Sequence, residues 1–310
     1  MELSILLAQK ISSMFLMSVI GFIVVKIGLL EARGSKVLSN LVVYVGIPCM
    51  TVNSFQISYT KEKMSGLLIA VAAVIGIHIF FIGFTKLLQP VLHFASIEKA
   101  SLIYTNCGNL IVPLVGSVLG MKWVFYTSAY MMVQTVMIWT HGVALISSSR
   151  KNSLKKIMLN PSMIAVMIGL LLFLTRIRIP ALIGDCMSGF ADMVAPASML
   201  VIGMLMGEVD LKWVFRQKRP YFICFIRLIV MPVIVALVFR FTGILGLHRD
   251  AEKILLVVLL AASAPVAATV TQMAQVFDGD ATYASVINVM SVIFCIITMP
   301  LIVFFFEALL

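Results

Sequence analysis

Two short stretches hold the residues with the most chemical potential. The first reads Thr105-Asn106-Cys107-Gly108-Asn109-Leu110-Ile111-Val112-Pro113; the second is Ser263-Ala264-Pro265, followed by Thr269, Thr271 and Gln272. Asn106 and Asn109, three apart, occupy neighbouring positions on one helical face and offer amide hydrogens to a carboxylate. Pro113 cannot donate to the carbonyl of Asn109, Pro265 leaves that of Ala261 without its donor, and Gly108 loosens the turn. If both segments break and cross, the half-helices beyond them aim N–H groups and partial positive charge at one place, and an anion is the natural guest. The competing reading is a pair of proline kinks sealed by neighbouring helices, with the amides serving as interhelical contacts. One such helix favours the kink; two in matching places of two halves favour the site.

The elements that carry these stretches must lie in a bilayer. Of 310 residues, 62% are apolar and 12% charged, and the mean hydropathy is +1.11. Soluble domains are about 45–50% apolar and about 25% charged. The apolar runs are about 20 residues long, the length of a membrane-crossing helix rather than of an alternating barrel strand. They read as ten spans: 5–30, 38–56, 66–88, 100–120, 123–147, 158–175, 190–207, 220–243, 252–277 and 281–307. The first is too long for a signal peptide and reads as a retained helix. A net charge of +10 would point to nucleic acid in a soluble domain; here the basic residues sit in short links such as Arg150–Lys156, so no nucleic-acid partner is expected. Cys49, Cys107, Cys224 and Cys295 fall within spans and Cys186 in a short loop, with no metal or disulfide spacing.

Thirteen of the 23 basic residues fall by the odd-numbered links and eight on the opposite side. That bias puts the odd links in the cytoplasm and both termini outside a cytoplasmic membrane. The longest polar link divides the spans five and five, so the second copy of a five-span repeat must be inverted, a common plan of secondary transporters. The expected division is 1–149, a linker at 150–157, and 158–310. Pro48 and Pro196 are 148 residues apart, Pro113 and Pro265 152.

Other polar residues lie within spans. Thr51 in span two and Gln134 in span five line a cavity or pack between helices. His78 in span three is a packing residue or a proton carrier, and is kept as a coupling candidate. Arg227 lies seven residues beyond Pro220, about 10 Å along a helix at 1.5 Å per residue. It is expected to snorkel to the cytoplasmic face, with attraction of an anionic substrate as the alternative. All acidic residues fall in loops or near span ends, which argues against cation antiport. With no hydrolase, metalloprotease or nucleotide motif, neither an enzyme nor a metal or other cofactor is expected.

The chain resembles a prokaryotic member of the auxin efflux carrier family, similar to plant PIN-type exporters and bacterial malonate or malate carriers. The likeness rests on Leu38-Ser39-Asn40-Leu41 leading to Ile47-Pro48, Asn106-Cys107-Gly108-Asn109-Leu110 leading to Pro113, Met132-Val133-Gln134, Ala264-Pro265, and Thr298-Met299-Pro300-Leu301. It implies an all-α fold of ten helices in two inverted five-helix repeats, crossed at broken helices four and nine, with external termini. It also implies homodimers and elevator-like movement of small organic anions. By resemblance Asn106, Asn109, Pro113 and Pro265 match the crossover, while Gln134 and Thr51 match polar positions on spans five and two. Ser263 and Thr269 belong to the same candidate site. The alternatives are a sodium-coupled symporter of the bile-acid-carrier type and a non-transporting receptor.

Overall fold

The computed structural model describes residues 2–31, 34–146, 159–208, 210–277 and 279–310. The expected linker at 150–157 lies outside them, as do the side chains of Asn109 and Gln272. The elements are helices: α1 (Glu2–Lys26), α2 (Gly34–Ser54), α3 (Lys61–Leu92), α4 (Ser96–Ile103), α5 (107–118), α6 (Met121–Ile146) and α7 (Pro161–Thr175). There follow α8 (Ala181–Asp192), α9 (Val194–Glu208), α10 (Leu211–Arg216), α11 (Lys218–Phe241), α12 (Ala251–Ala262), α13 (Ala268–Val276) and α14 (Ala281–Leu309).

Among the described residues, six helices are long and apolar enough to cross a membrane: α2, α3, α6, α8 with α9, α11 and α14. Two more apolar helices are shorter, Ser12–Lys26 and Met163–Thr175. The expected spans 100–120 and 252–277 are each cut in two, and neither piece reaches the roughly 20 residues a hydrocarbon core requires. The seventh expected span starts nine residues early, at Ala181. Pro180, with extended backbone, opens it, and Gly184, Ser188 and Gly189 gave it the look of a loop. Cys186 and Asp185 are therefore helical, and Asp192 sits exposed just before the bend at Met193.

Three prolines follow widened turns. Pro48, Pro113 and Pro232 each follow a five-residue π turn, in which Ile47, Val112 and Met231 donate five residues back to Val42, Cys107 and Ile226. The ring crowds the turn before it, and a wider turn relieves the clash.

The helices pack in two groups. In one, α1 runs along α9, and α2 packs on α7 and α8. The α1–α9 approach depends on glycine: a Cβ on Gly203 would lie 1.8 Å from the Ser18 carbonyl oxygen, and one on Gly21 2.4 Å from that of Leu200. Gly203 and Gly207 form the small-xxx-small pattern that lets membrane helices meet backbone to backbone. In the other group α3, α4, α6, α11, α12, α13 and α14 surround one another. Each group draws on both halves of the sequence. Phe55 of α2's end, Phe125 of α6 and Phe173 of α7 join the groups, with the rings of Phe125 5.0 Å from both others.

Helix ends segregate by link parity. Glu98 of α4 pairs with Arg219 of α11 at 2.9 Å and accepts the Tyr283 hydroxyl of α14 at 2.7 Å. These residues adjoin the third, seventh and ninth links. At the opposite end His248 Nε2 contacts the Glu62 carbonyl at 2.8 Å, and Ile179 N–H donates to Gln56 Oε1 at 3.0 Å.

Candidate functional site

After Ile103 the chain leaves the helix for a non-helical segment, 104–106, and after Ala262 for another, 263–267. The two segments pair antiparallel, with Thr105 opposite Val266. Asn106 N–H donates to the Pro265 carbonyl at 2.8 Å, and Ala267 N–H to that of Tyr104 at 3.1 Å. Two broken helices thus meet through a single rung of sheet, in which each break supplies a backbone donor to the other.

The outward-pointing backbone groups of Thr105 and Val266 need partners too, because lipid offers none. Gln134 of α6 behaves as a peptide group would: its Oε1 accepts Thr105 N–H at 2.9 Å and its Nε2 donates to Thr105 O at 2.8 Å. On the other side α14 does the same with two residues. Ser291 Oγ accepts Val266 N–H at 3.1 Å, and Asn288 Nδ2 donates to Val266 O at 3.0 Å. The fifth and last expected spans thus play matching parts toward the two breaks.

A cavity of about 330 Å³ lies beside this crossing. Asn106, Gln134, Thr269 and Asn288 line it from one helix group, Ser39 and Ser198 from the other. It also reaches Asn160 and Pro161 at the start of α7, toward the ends that carry odd-numbered links. Toward the even-numbered links, Phe55, Phe125 and Phe173 are buried against one another. The first turns of α5 and α13 both open on the cavity, through Cys107 and Gly108 and through Ala268 and Thr269. Two sets of helix N-terminal amides therefore border one polar space.

The residues singled out from sequence divide accordingly. Asn106, Gln134 and Thr269 line the cavity, and no described protein group pairs with the Asn106 side-chain amide. Gln134 spends its amide on Thr105, and donates also to Cys107 Sγ at 3.3 Å. Pro265 contributes its carbonyl to the crossing, and Pro113 is buried within α5. Ser263 faces away, its hydroxyl donating to Leu259 O at 2.7 Å. Thr51 is buried in α2 outside the cavity lining, with no partner for its hydroxyl among the described residues. His78 is buried against the Tyr130 ring at 5.3 Å, with Nδ1 on the Val74 carbonyl.

Arg227 corrects the expectation of snorkelling. Its side chain is fully buried, packs over the Phe81 ring at 5.3 Å and donates through Nη2 to the Ala264 carbonyl at 3.0 Å. Position along the helix suggested a reach to the surface; packing of α4, α12 and α14 around α11, with Phe81 of α3 over the guanidinium, closes that route. Ser198, Ser39, Asn288 and Ser291 were missed. Asn288 and Ser291, a polar pair three apart in an apolar run, were the one signal available.

A polytopic helical bundle with paired helix breaks around a polar cavity defines a membrane transporter. The chain belongs to the membrane transport protein family, the auxin efflux carriers, whose model matches it twice, over residues 7–156 and 147–303. No curated protein matches the chain significantly.

Proposed function

We propose that this protein carries small organic anions, carboxylates, across the cytoplasmic membrane and holds them at the crossing of its two broken helices. The observation that carries the reading is the pair of half-helix N-termini opening on one cavity whose lining, among the described residues, offers amide and hydroxyl groups and no carboxylate. A volume of about 330 Å³ suits a small molecule. Asn106 is the principal side-chain donor, with Thr269 beside it; Gln134 and Pro265 hold the crossing.

The wider arrangement follows the same reading: ten crossings in two inverted repeats, 1–149 and 158–310, odd links cytoplasmic, and a homodimer. Parity of the helix ends and the matched parts of α6 and α14 support the repeats. The cavity reaching the odd links and the aromatic seal opposite support an inward-open state of an elevator-like cycle.

The test is flux into proteoliposomes with labelled mono- and dicarboxylates. Asn106→Ala removes one hydrogen bond to a charged group, about 1.5–3 kcal/mol, so uptake at limiting substrate should fall about tenfold or more. If no organic anion moves, or the variant matches wild type, the assignment fails.

A further inference from the structure

A guanidinium in the low-dielectric core, away from water and any carboxylate, is costly by several kcal/mol unless another charge compensates it. Arg227 is in that position. It forms no ion pair among the described residues, and its Nε and Nη1 have no partner there. The side chains within electrostatic reach are Tyr130, Cys224, Cys295 and His78, with the Phe81 ring beneath the guanidinium, and none of them is a carboxylate. Its one hydrogen bond goes to the carbonyl of Ala264, the residue before Pro265, whose own carbonyl receives Asn106 N–H. The charge therefore stands one hydrogen bond from the crossing and outside the cavity lining. It sits in one of the π turns, Ile226–Val230, which turns the side chain inward.

We propose that Arg227 is the fixed counter-charge of the transported anion, a tethered cation doing at the crossing what a co-transported cation would otherwise do. This deepens the carboxylate reading and rests on it. Arg227 does not touch the substrate; it is a positioning residue that acts through the field and the Ala264 peptide. One guanidinium balances one negative charge, so a monovalent carboxylate forms a neutral pair with it while a dianion leaves one charge uncompensated. Two consequences follow: transport needs no sodium, and monoanions are preferred over dianions of similar size.

The experiment measures uptake of labelled pyruvate and malonate by proteoliposomes, in sodium and in choline, for wild type, Arg227→Lys and Arg227→Gln. Wild type is expected to take up pyruvate equally in both salts and in preference to malonate. Arg227→Lys, which keeps the charge and loses the planar fork, should retain half-saturation within about fivefold; Arg227→Gln should raise it about tenfold or more. Loss of wild-type uptake in choline, or a folded Arg227→Gln with wild-type half-saturation, overturns the proposal. If the Gln variant does not fold, the salt comparison and the Lys variant decide: a folded Lys variant with no uptake overturns a role for charge. A wild type that moves malonate but not pyruvate also overturns it while leaving the carboxylate reading standing. A wild type that moves neither overturns this inference, and failure across the wider carboxylate panel overturns that reading as well.

Discussion

Gln134→Leu should lower the melting temperature of the purified protein sharply and reduce uptake by an order of magnitude or more. The substitution keeps most of the volume and removes the group that satisfies Thr105 N–H and Thr105 O together. A buried backbone group without a partner costs about 1–3 kcal/mol, and two are exposed at once. Because Gln134 borders the cavity, water can reach part of the vacancy, so the net loss should fall near 3 kcal/mol, within the about 2–6 kcal/mol that two orphaned groups allow. Uptake falls further because segment 104–106 loses the form that pairs with 265–267. Thermal unfolding in detergent beside proteoliposome flux checks both parts. A variant that melts like wild type shows that Gln134 is not what fastens the crossing.

The second large effect belongs to the α1–α9 contact. Gly203→Val should prevent accumulation of folded protein, and Gly203→Ala should cost about 3 kcal/mol or more. The added carbon would lie 1.8 Å from a backbone oxygen of α1, which cannot turn aside as a side chain would. Gly184 of α8 is the control. A Cβ there meets nothing within 4 Å, so Gly184→Ala should leave stability unchanged or raise it by about 0.5–1 kcal/mol. Fluorescence-detected size exclusion of the three variants separates the cases. Equal monodisperse yields of Gly203→Val and wild type would contradict the close approach.

How much of this was legible in the sequence depends on whether the cause was local. Apolar run length is local, so six helices of membrane length stand on the apolar runs, with starts off by as much as nine residues, and the positions of the two breaks followed from Gly108, Pro113 and Pro265. Even so, the reasons differed in detail. Pro113 follows a widened turn instead of breaking the helix, and the non-helical residues lie upstream, at 104–106. The helix at 181–192 was hidden because glycines, a serine and a proline read as loop, whereas Pro180 marks a helix start. Arg227 was misread for a different reason: depth along a helix is legible in sequence, but which neighbours surround it is not. Partner choice at the crossing was equally invisible, since Gln134 lies 29 residues from Thr105, and Asn288 and Ser291 lie 22 and 25 from Val266. Side chains that complete another helix's backbone have no spacing rule.

The central claim is that a carboxylate occupies the space where α5 and α13 begin. Thr269 lines that space at the first turn of α13, so a single cysteine at Thr269→Cys in a cysteine-free background, shown to retain flux, reports on it directly. The measurement is the rate of its modification by a membrane-impermeant thiol reagent added from the odd-link side, with and without the transported carboxylate. The account predicts that the reagent reaches the cysteine and that saturating carboxylate slows the reaction at least about fivefold, with half-protection near the half-saturation of uptake. Modification at the same rate with and without carboxylate, in a variant that still transports, would contradict it.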